Sequence, residues 1–313
     1  MRSIDELIQG LNDRDWRALA KAITIVENDQ TGKDELLSFA YEHGKEPHLL
    51  LGITGAGGSG KSTIINGLLG IYTQRDLRVG ILAVDPSSAF SGGAVLGDRI
   101  RIKPTLAGAN IFFRSFASRG ALGGLSQGVK DVLYLYKAFG FDIIIVESYG
   151  VGQAETDITN FVDVTTVVLA PGNGDYMQHA KAGTQEIADI FVVNKADHVE
   201  AEALFTQLVA LLDLLPVDHR PIVLKAVASE GIGISELAAK MEELAISARY
   251  TRDAKRYLRI ENEIYSAVIK QLTPRLRKEC LRLADRVVEK ELTPFLASKI
   301  LAGQIKLEKS TEY

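Results

Sequence analysis

The chain has 313 residues, of which 46% are hydrophobic and 24% are charged, so it can bury a substantial core as an ordinary globular protein does. A formal net charge of −4 argues against a nucleic acid as the main partner, because nucleic-acid binding usually requires a basic surface. The single cysteine, Cys280, excludes an internal disulfide framework and a four-cysteine zinc site. The chain shows no leader-like start and no long apolar run, so we expect a cytoplasmic protein with no membrane contact, and an organelle matrix is the alternative.

Residues 1–46 are predicted to form short helices. Ser3 is suited to cap the first helix, Asp13 or Asp15 precedes the second, and Thr31 opens the third. Apolar residues recur at helical spacing, and no catalytic pattern is present. We therefore expect a helical N-terminal extension that packs on the domain after it, and the alternative is a docking surface for a partner.

A phosphate-binding loop follows the first strand-like run. Residues 49–53 are apolar, the next residues are rich in glycine, and an apolar-periodic helix comes after them. The spacing Gly55-x-x-x-x-Gly60-Lys61-Ser62 is that of a P-loop, and a chance glycine-rich turn is the alternative. Lys61 is predicted to reach the β- and γ-phosphates, and Ser62 to ligate Mg²⁺. The predicted phosphate contacts are Gly55, Ala56, Gly57, Gly58, Ser59, Gly60, Lys61, Ser62 and Thr63.

Short apolar runs alternate with helix-length segments through the middle of the chain. This alternation predicts an α/β domain over residues 47–248, with a mostly parallel sheet flanked by helices. Ligands of such folds bind at the carboxyl ends of the strands, so the residues after each run are site candidates. The runs are 49–53, 79–84, 141–146, 164–170, 190–193 and 221–224, and the helical segments are 61–75, 120–139 and 199–214.

Acidic residues follow two of these runs. Asp85 comes directly after the run 79–84, and Asp98 lies in the polar loop beyond it. Glu147 directly follows the run 141–146, at the position where P-loop enzymes place an acid that supports Mg²⁺ through water. Asp85, Asp98 and Glu147 are therefore candidate metal residues, and the alternative for both aspartates is a helix cap or a turn former.

Two glycine-containing segments are candidates for conformational switches. Gly150 is placed to offer its N–H to the γ-phosphate, and Gln153 either orients the attacking water or contacts a partner. Gly172 and Gly174 mark a second segment, for which a simple surface turn fits the local chemistry equally well. The predicted mechanism is charge neutralisation and water placement without a covalent step, with Lys61, Asp85, Glu147 and Gln153 as its catalytic residues.

The tetrapeptide at 194–197, Asn-Lys-Ala-Asp, predicts guanine as the base. The Asp197 carboxylate can accept hydrogen bonds from N1–H and the exocyclic amine of guanine, whereas adenine would leave the carboxylate unpaired. Asn194 is predicted to brace the loop and the Lys195 stem to cover the base plane. Val227 and Ala228 follow the next run, where a backbone N–H is expected to meet guanine O6, and a serine is usual at the Val227 position.

The chain is predicted to be helical from residue 234 to residue 305. Thr273-Pro274 and Thr293-Pro294 each predict a helix start, with a cap followed by proline at the first helical position. The apolar residues of this region need burial, either on the GTPase domain or against a second copy of the chain. We favour a helical C-terminal dimerisation region at 249–313, and hence a homodimer.

Six further segments carry a family resemblance: 84–88 (Val-Asp-Pro-Ser-Ser), 91–98, 122–124, 146–155, 169–175 and 193–197. Together with the P-loop they resemble the MeaB/ArgK family of GTPases. The resemblance implies a Mg²⁺-dependent, homodimeric GTPase that chaperones an adenosylcobalamin-dependent acyl-CoA mutase, methylmalonyl-CoA mutase or a related one. Such a chaperone gates cofactor loading and protects the mutase, which stimulates its slow hydrolysis. Adenosylcobalamin belongs to the partner and not to this chain.

Individual positions follow from the resemblance. It implies phosphate and metal binding by residues 61–63 and acidic positions around Mg²⁺ at Asp85, Asp98 and Glu147. Residues 172–183 match a further switch that senses nucleotide and mutase, with Asp175, Gln178 and Lys181 at family positions. Departures occur at Ser148-Tyr149, where Thr-Val is usual, at 118–121 and at Val227. The first two lie near the predicted switches and bear on the identity of the partner, for which a mutase of a branched or hydroxylated acyl-CoA is an alternative.

Other functions fit the sequence less well. A metal-insertion GTPase for nickel enzymes requires a histidine tract or paired cysteines, whereas the five histidines are scattered and Cys280 is alone. The phosphate and metal positions argue against a module that uses GTP only for structure. A small-molecule kinase would need an acceptor pocket, and none is legible in the sequence.

Overall fold

The computed structural model of the protein describes residues 3–85, 110–117, 127–148, 158, 161–172, 188–217 and 220–304. The strands are β1 Leu49–Thr54, β2 Val79–Asp85, β3 Ile111–Ala117, β4 Ile143–Ser148, β5 Val164–Leu169, β6 Ile190–Asn194 and β7 Ile222–Ala226. The helices are α1 Ile4–Asn12, α2 Trp16–Glu27, α3 Lys33–His43, α4 Lys61–Gln74, α5 Gln127–Phe139, α6 Glu200–Leu212, α7 Ile234–Val288 and α8 Pro294–Gln304.

The strands of the described chain form one parallel sheet in the order β3-β2-β4-β1-β5-β6-β7. Every residue of β1, β4 and β5 is buried, in agreement with their largely apolar sequences. The predicted α/β fold with a parallel sheet and flanking helices is confirmed. Strand β3 was not predicted, because its apolar run is interrupted by Arg114 and Ser115. It lies at a lateral edge of the sheet, where residues 111–115 are only partly buried and Phe116 is buried.

The N-terminal helices pack with α5 against one face of the sheet. Leu7, Leu19 and Ile23 are fully buried in one cluster with Val132 and Tyr136 of α5. The predicted Ser3 cap is confirmed as a capping box: the Glu6 N–H donates to Ser3 Oγ, and the Ser3 N–H donates to the Glu6 carboxylate. Asp15 caps α2, and α3 begins at Lys33 after Gly32, with no side-chain cap hydrogen bond.

A buried carboxylate fastens α3 to α5. The side chain of Asp131 is 5% exposed, and its Oδ2 lies 3.1 Å from Lys33 Nζ, which also donates to Asp29 at 3.0 Å. Burial lowers the pKa of Lys33, but its hydrogen bonds to Asp29 and Asp131 and their charges outweigh that effect, so the pKa is raised. The pair therefore stabilises the fold fully below the unfolded pKa of about 10.4, and this stability is lost as pH rises through the folded pKa.

Lys33→Met is expected to lower the free energy of unfolding by about 2 to 3 kcal/mol, because Asp131 would remain buried without this cation. Urea unfolding at pH 7 measures the change. Lys240→Met is the matched control, since Lys240 pairs with Glu243 at 2.7 Å on an exposed surface and such pairs contribute about 0.5 kcal/mol or less. Equal losses in the two variants would contradict the stabilising role of the Lys33–Asp131 pair.

Three further helices complete the layers that position the site. Helix α4 and the start of α7 cover the other face of the sheet, where Leu68 and Tyr72 pack with Leu237 and Met241. Helix α6 packs on β5 and β6 through Leu208 and other apolar residues. Both faces of the central strands are therefore buried, and their carboxyl ends remain as the edge where polar side chains collect.

The chain divides into two compact units, Met1–Tyr250 and Thr251–Tyr313. The predicted helix start at Thr273-Pro274 is wrong, because α7 is one 55-residue helix that contains Pro274. The proline removes one of many backbone hydrogen bonds, and the Thr273 hydroxyl donates to the Ile269 carbonyl. The predicted start at Thr293-Pro294 is confirmed, since α8 begins at Pro294 and Thr293 Oγ1 accepts from the Leu296 N–H.

The second unit exposes apolar side chains on consecutive turns of α7. Ile264, Tyr265, Val268 and Ile269 are all more than 40% exposed. No helix within the described ranges combines the length and apolar character needed to cross a membrane.

Candidate nucleotide-binding site

The glycine-rich loop at residues 55–60, called the phosphate loop below, connects β1 to α4, and its backbone requires glycine at particular positions. Gly58 and Gly60 have φ of 77° and 94°, a region that L side chains rarely adopt. A Cβ at Gly60 would lie 2.1 Å from Asn194 Nδ2, and one at Gly55 would lie 2.3 Å from the Val168 carbonyl oxygen. The loop is thus curled tightly against the ends of β5 and β6, with α4 beginning directly after it.

Lys61 is the first residue of α4, and its ammonium group lies over the loop. Only 5% of the residue is exposed, and Nζ donates to the carbonyls of Gly55 at 2.7 Å and of Ala56 at 3.0 Å. The helix N-terminus adds partial positive charge at the same place. A cation and a helix N-terminus at one glycine-rich loop have the charge and the donors that suit phosphate groups.

Ser62 and Glu147 bring two hard oxygen donors together beside the loop. The Ser62 hydroxyl donates to Glu147 Oε1 at 3.2 Å, and Glu147 is 3% exposed although it ends an apolar strand. Within the described residues, no three His, Cys, Asp or Glu side chains form a metal-binding group. A hydroxyl with one carboxylate suits Mg²⁺, which keeps several waters and takes further oxygens from phosphates. These residues therefore fit the ion.

Asn194 connects three loops of the site. Its Nδ2 donates to the Ser59 carbonyl at 2.9 Å, and its Oδ1 accepts from the Ala228 N–H at 3.1 Å. Asn194 is buried at the end of β6, where it pairs with Ala226 of β7. The phosphate loop and the loop after β7 are thus held in one fixed relation.

The remaining residues of the predicted base site lie at the ends of β6 and β7. Lys195 has a φ of 55°, and the N–H of Ala196 donates to the Ala226 carbonyl at 3.0 Å. The carboxylate-bearing Asp197 is exposed, whereas Val227 and Ala228 are buried. The loops that carry the predicted guanine contacts are therefore neighbours at the carboxyl ends of the strands, next to the phosphate loop.

A hydroxyl pair at the same edge was missed by sequence reasoning. The Ser148 hydroxyl donates to Thr54 Oγ1 at 2.9 Å, and both residues are buried. Thr54 precedes Gly55 and Ser148 follows Glu147. The sequence shows only that a hydroxyl residue follows each of two apolar runs, and the strand order is what makes the two residues neighbours.

Part of the predicted site falls outside the described residues. The backbone of Asp85 ends β2 beside β4, but its side chain is not described. The positions outside the described residues are Asp98, Gly150, Gln153, Asp175, Gln178 and Lys181. The roles assigned to Asp85 and to these positions stay predictions.

Comparisons with known proteins agree with this geometry. The family described as methylmalonyl-CoA mutase-associated GTPase MeaB matches residues 19–280. A protein of Pyrococcus horikoshii whose descriptive name is that of a GTPase is 39% identical over 97% of this chain and 99% of its own length. The mouse protein named methylmalonic aciduria type A homolog, mitochondrial, is 34% identical over 77% of this chain and 63% of its own length.

A solved structure also matches over nearly the whole chain. It is described as a LAO/AO transport system kinase, and it has a TM-score of 0.70 at 25% identity, covering 97% of this chain and 98% of that chain. The name describes that protein, while the fold is shared. With the phosphate loop, the tetrapeptide at the end of β6 and relatives named as GTPases, the match over residues 19–280 settles the reaction class. The chain belongs to the MeaB family of methylmalonyl-CoA mutase-associated GTPases, and it hydrolyses GTP.

Proposed function

We propose that this GTPase is a chaperone of an adenosylcobalamin-dependent acyl-CoA mutase, methylmalonyl-CoA mutase or a related enzyme. The observation that carries the proposal is the match of residues 19–280 to a family described as mutase-associated. The name of the mouse relative, which refers to methylmalonic aciduria, supports it. In this proposal GTP binding and hydrolysis change the protein's conformation and thereby gate cofactor loading into the mutase. Adenosylcobalamin is bound by the mutase.

The proposed roles of the site residues follow from their chemistry. Lys61 neutralises charge on the β- and γ-phosphates, and Mg²⁺ is held by Ser62 with Glu147 beside it, which their 3.2 Å contact supports. Asp85 and Asp98 complete the acidic surroundings of the ion. Gln153 orients the attacking water, and Gly150 donates its N–H to the γ-phosphate.

The base is proposed to lie against the loops after β6 and β7. Asp197 accepts hydrogen bonds from guanine, the Lys195 stem covers the base plane, and a backbone N–H of Val227 or Ala228 meets guanine O6. The hydrogen bonds of Asn194 to Ser59 and Ala228 support this arrangement, because they fix the base loops relative to the phosphate loop.

Partner contacts are proposed at two places. Asp175, Gln178 and Lys181 form a switch that senses both the nucleotide and the mutase. Residues 249–313 form the dimerisation region of a homodimer, which the exposed apolar side chains Ile264 and Tyr265 support, because such a surface is normally covered.

Methylmalonyl-CoA mutase is expected to raise the GTP turnover of the protein by about tenfold or more, a typical size for coupling between two sites. Phosphate release is measured at saturating GTP and Mg²⁺ with increasing mutase. A CoA-dependent enzyme that lacks adenosylcobalamin serves as the control partner and should give no stimulation. Equal rates with the mutase, with a panel of related adenosylcobalamin mutases and without any partner would contradict the proposed chaperone function.

A further inference from the structure

The last two residues of β4 contact the two ends of the phosphate loop. Successive side chains of a strand point to opposite faces of the sheet, so Glu147 and Ser148 cannot share one partner. Glu147 accepts a hydrogen bond from Ser62, just after the loop, and Ser148 donates one to Thr54, just before it. The loop is thus tied to one strand end at both of its ends, once on each face of the sheet.

The register of the strands makes this double contact possible. Ile53 pairs with Glu147 in the parallel ladder between β1 and β4, so Thr54 and Ser148 are the next residues along the two strands. Side chains at matching positions of neighbouring strands lie on the same face, where threonine and serine hydroxyls can hydrogen-bond. Thr54 is 0% exposed and Ser148 is 1% exposed.

Packing alone does not explain two hydroxyls at this position. Two residues earlier on β4, and on the same face of the sheet as Ser148, Val146 is fully buried and apolar. A buried hydroxyl costs roughly 1 to 3 kcal/mol when it lacks a partner, so an apolar pair would fill the same space at less risk. What the hydroxyl pair adds is a directional link between the start of the phosphate loop and the residue next to Glu147.

We propose that the Ser148–Thr54 hydrogen bond is a positioning contact that aligns the Glu147 carboxylate with the Ser62 hydroxyl for Mg²⁺-dependent nucleotide binding. Ser148 acts through Glu147, to which it is joined by one peptide bond, and Thr54 acts through the loop that it begins. Neither hydroxyl is assigned a contact with the ion or the nucleotide. The inference rests on the proposed metal role of Ser62 and Glu147, and it does not depend on the mutase.

Ser148→Ala and Thr54→Val are expected to weaken nucleotide binding only when Mg²⁺ is present. The readout is the Kd of a fluorescent GDP analogue, measured in Mg²⁺ and in EDTA. Loss of a residue that orients a metal ligand typically lowers metal affinity by 10- to 100-fold, so we expect the Mg²⁺-dependent gain in affinity to fall about tenfold. The Kd in EDTA should stay within about twofold of the wild-type value, since the phosphate loop itself is unchanged.

Matched variants separate positioning from a general loss of structure. Ser148→Thr and Thr54→Ser keep both hydroxyls and should retain the Mg²⁺-dependent gain. The double variant Thr54→Val/Ser148→Ala should lose no more of the gain than either single variant, because both remove the same contact. Ser148→Cys is a milder change that keeps the side-chain volume and weakens the donor, and it provides the test if Ser148→Ala does not fold.

Glu147→Gln is the reference for the metal role itself. If Ser148→Ala and Thr54→Val keep the wild-type gain, or if affinity falls equally in Mg²⁺ and in EDTA, the positioning role is overturned while the metal role stands. If Glu147→Gln also keeps the full Mg²⁺-dependent gain, the metal role and the inference built on it both fall. Loss of the gain in all three, with recovery in Ser148→Thr, is the expected result.

Discussion

Asp197→Asn is expected to change the purine preference of the protein from guanine to xanthine. The aspartate carboxylate only accepts hydrogen bonds, which suits the N1–H and the 2-amine of guanine. Xanthine has a carbonyl oxygen where guanine has the 2-amine, and an asparagine amide can donate to that oxygen. Hydrogen bonds to a charged group contribute about 1.5 to 3 kcal/mol each, so GTP affinity should fall by roughly 100-fold or more.

Competition binding with GTP, XTP and ATP measures this change as a ratio of Kd values. Glu200→Gln is the matched control, because Glu200 is an exposed carboxylate at the first turn of α6, near Asp197 in the chain. It should leave the ratio unchanged. An Asp197→Asn variant that still prefers GTP over XTP would show that the base is recognised elsewhere.

The local structure around Asp197 favours a direct effect of this substitution. Lys195 holds a left-handed backbone conformation, and the N–H of Ala196 donates to Ala226, so the turn keeps its place through its main chain. Asp197 itself is exposed, and exchanging a carboxylate for an amide there alters little packing. The fold should therefore survive, and the change in nucleotide preference can be read without a stability correction.

Most of the fold could be predicted because its signal is local. Strands β1 and β4 are continuous apolar runs buried on both faces, and their boundaries differ from the predicted ones by one or two residues. Strand β3 lies at the sheet edge, where Arg114 contacts Glu27 of α2, and an edge strand needs no continuous apolar run. The Thr273-Pro274 pair fits a helix start, but the structure has Pro274 inside the continuous helix α7, so this local pattern gave a wrong prediction.

Part of the candidate site could likewise be predicted from local sequence. The P-loop and the 194–197 tetrapeptide are contiguous motifs, and their residue types and spacing indicate their chemistry. The contact of Asn194 with Ser59 spans 135 residues, and only the strand order places these residues together. The Ser148–Thr54 bond was missed because serine and threonine are common at strand ends, and nothing in the sequence pairs these two.

Lys61→Ala is expected to lower kcat for GTP hydrolysis by about 100- to 1,000-fold, the usual effect of losing one preorganised charge-stabilising group. Lys61 Nζ lies over the loop with two neutral carbonyl acceptors, those of Gly55 and Ala56. Anionic phosphate oxygens are stronger acceptors than carbonyls, so the ammonium should move to them as charge develops on the γ-phosphate. Phosphate release at saturating GTP and Mg²⁺ measures kcat.

The control for Lys61→Ala is the loss of a cation away from the phosphate loop. Lys240→Ala removes an exposed cation of α7 and should leave kcat unchanged. Lys61→Arg keeps the charge, but a planar guanidinium does not reproduce the compact ammonium in a buried loop, so it should restore little activity. If Lys61→Ala retains kcat within about threefold of the wild type, charge neutralisation by this residue is not the source of catalysis. If Lys61→Arg is fully active, a positive charge at this position is sufficient for catalysis whatever the shape of the cation. The tight curl of the loop would then serve nucleotide binding only.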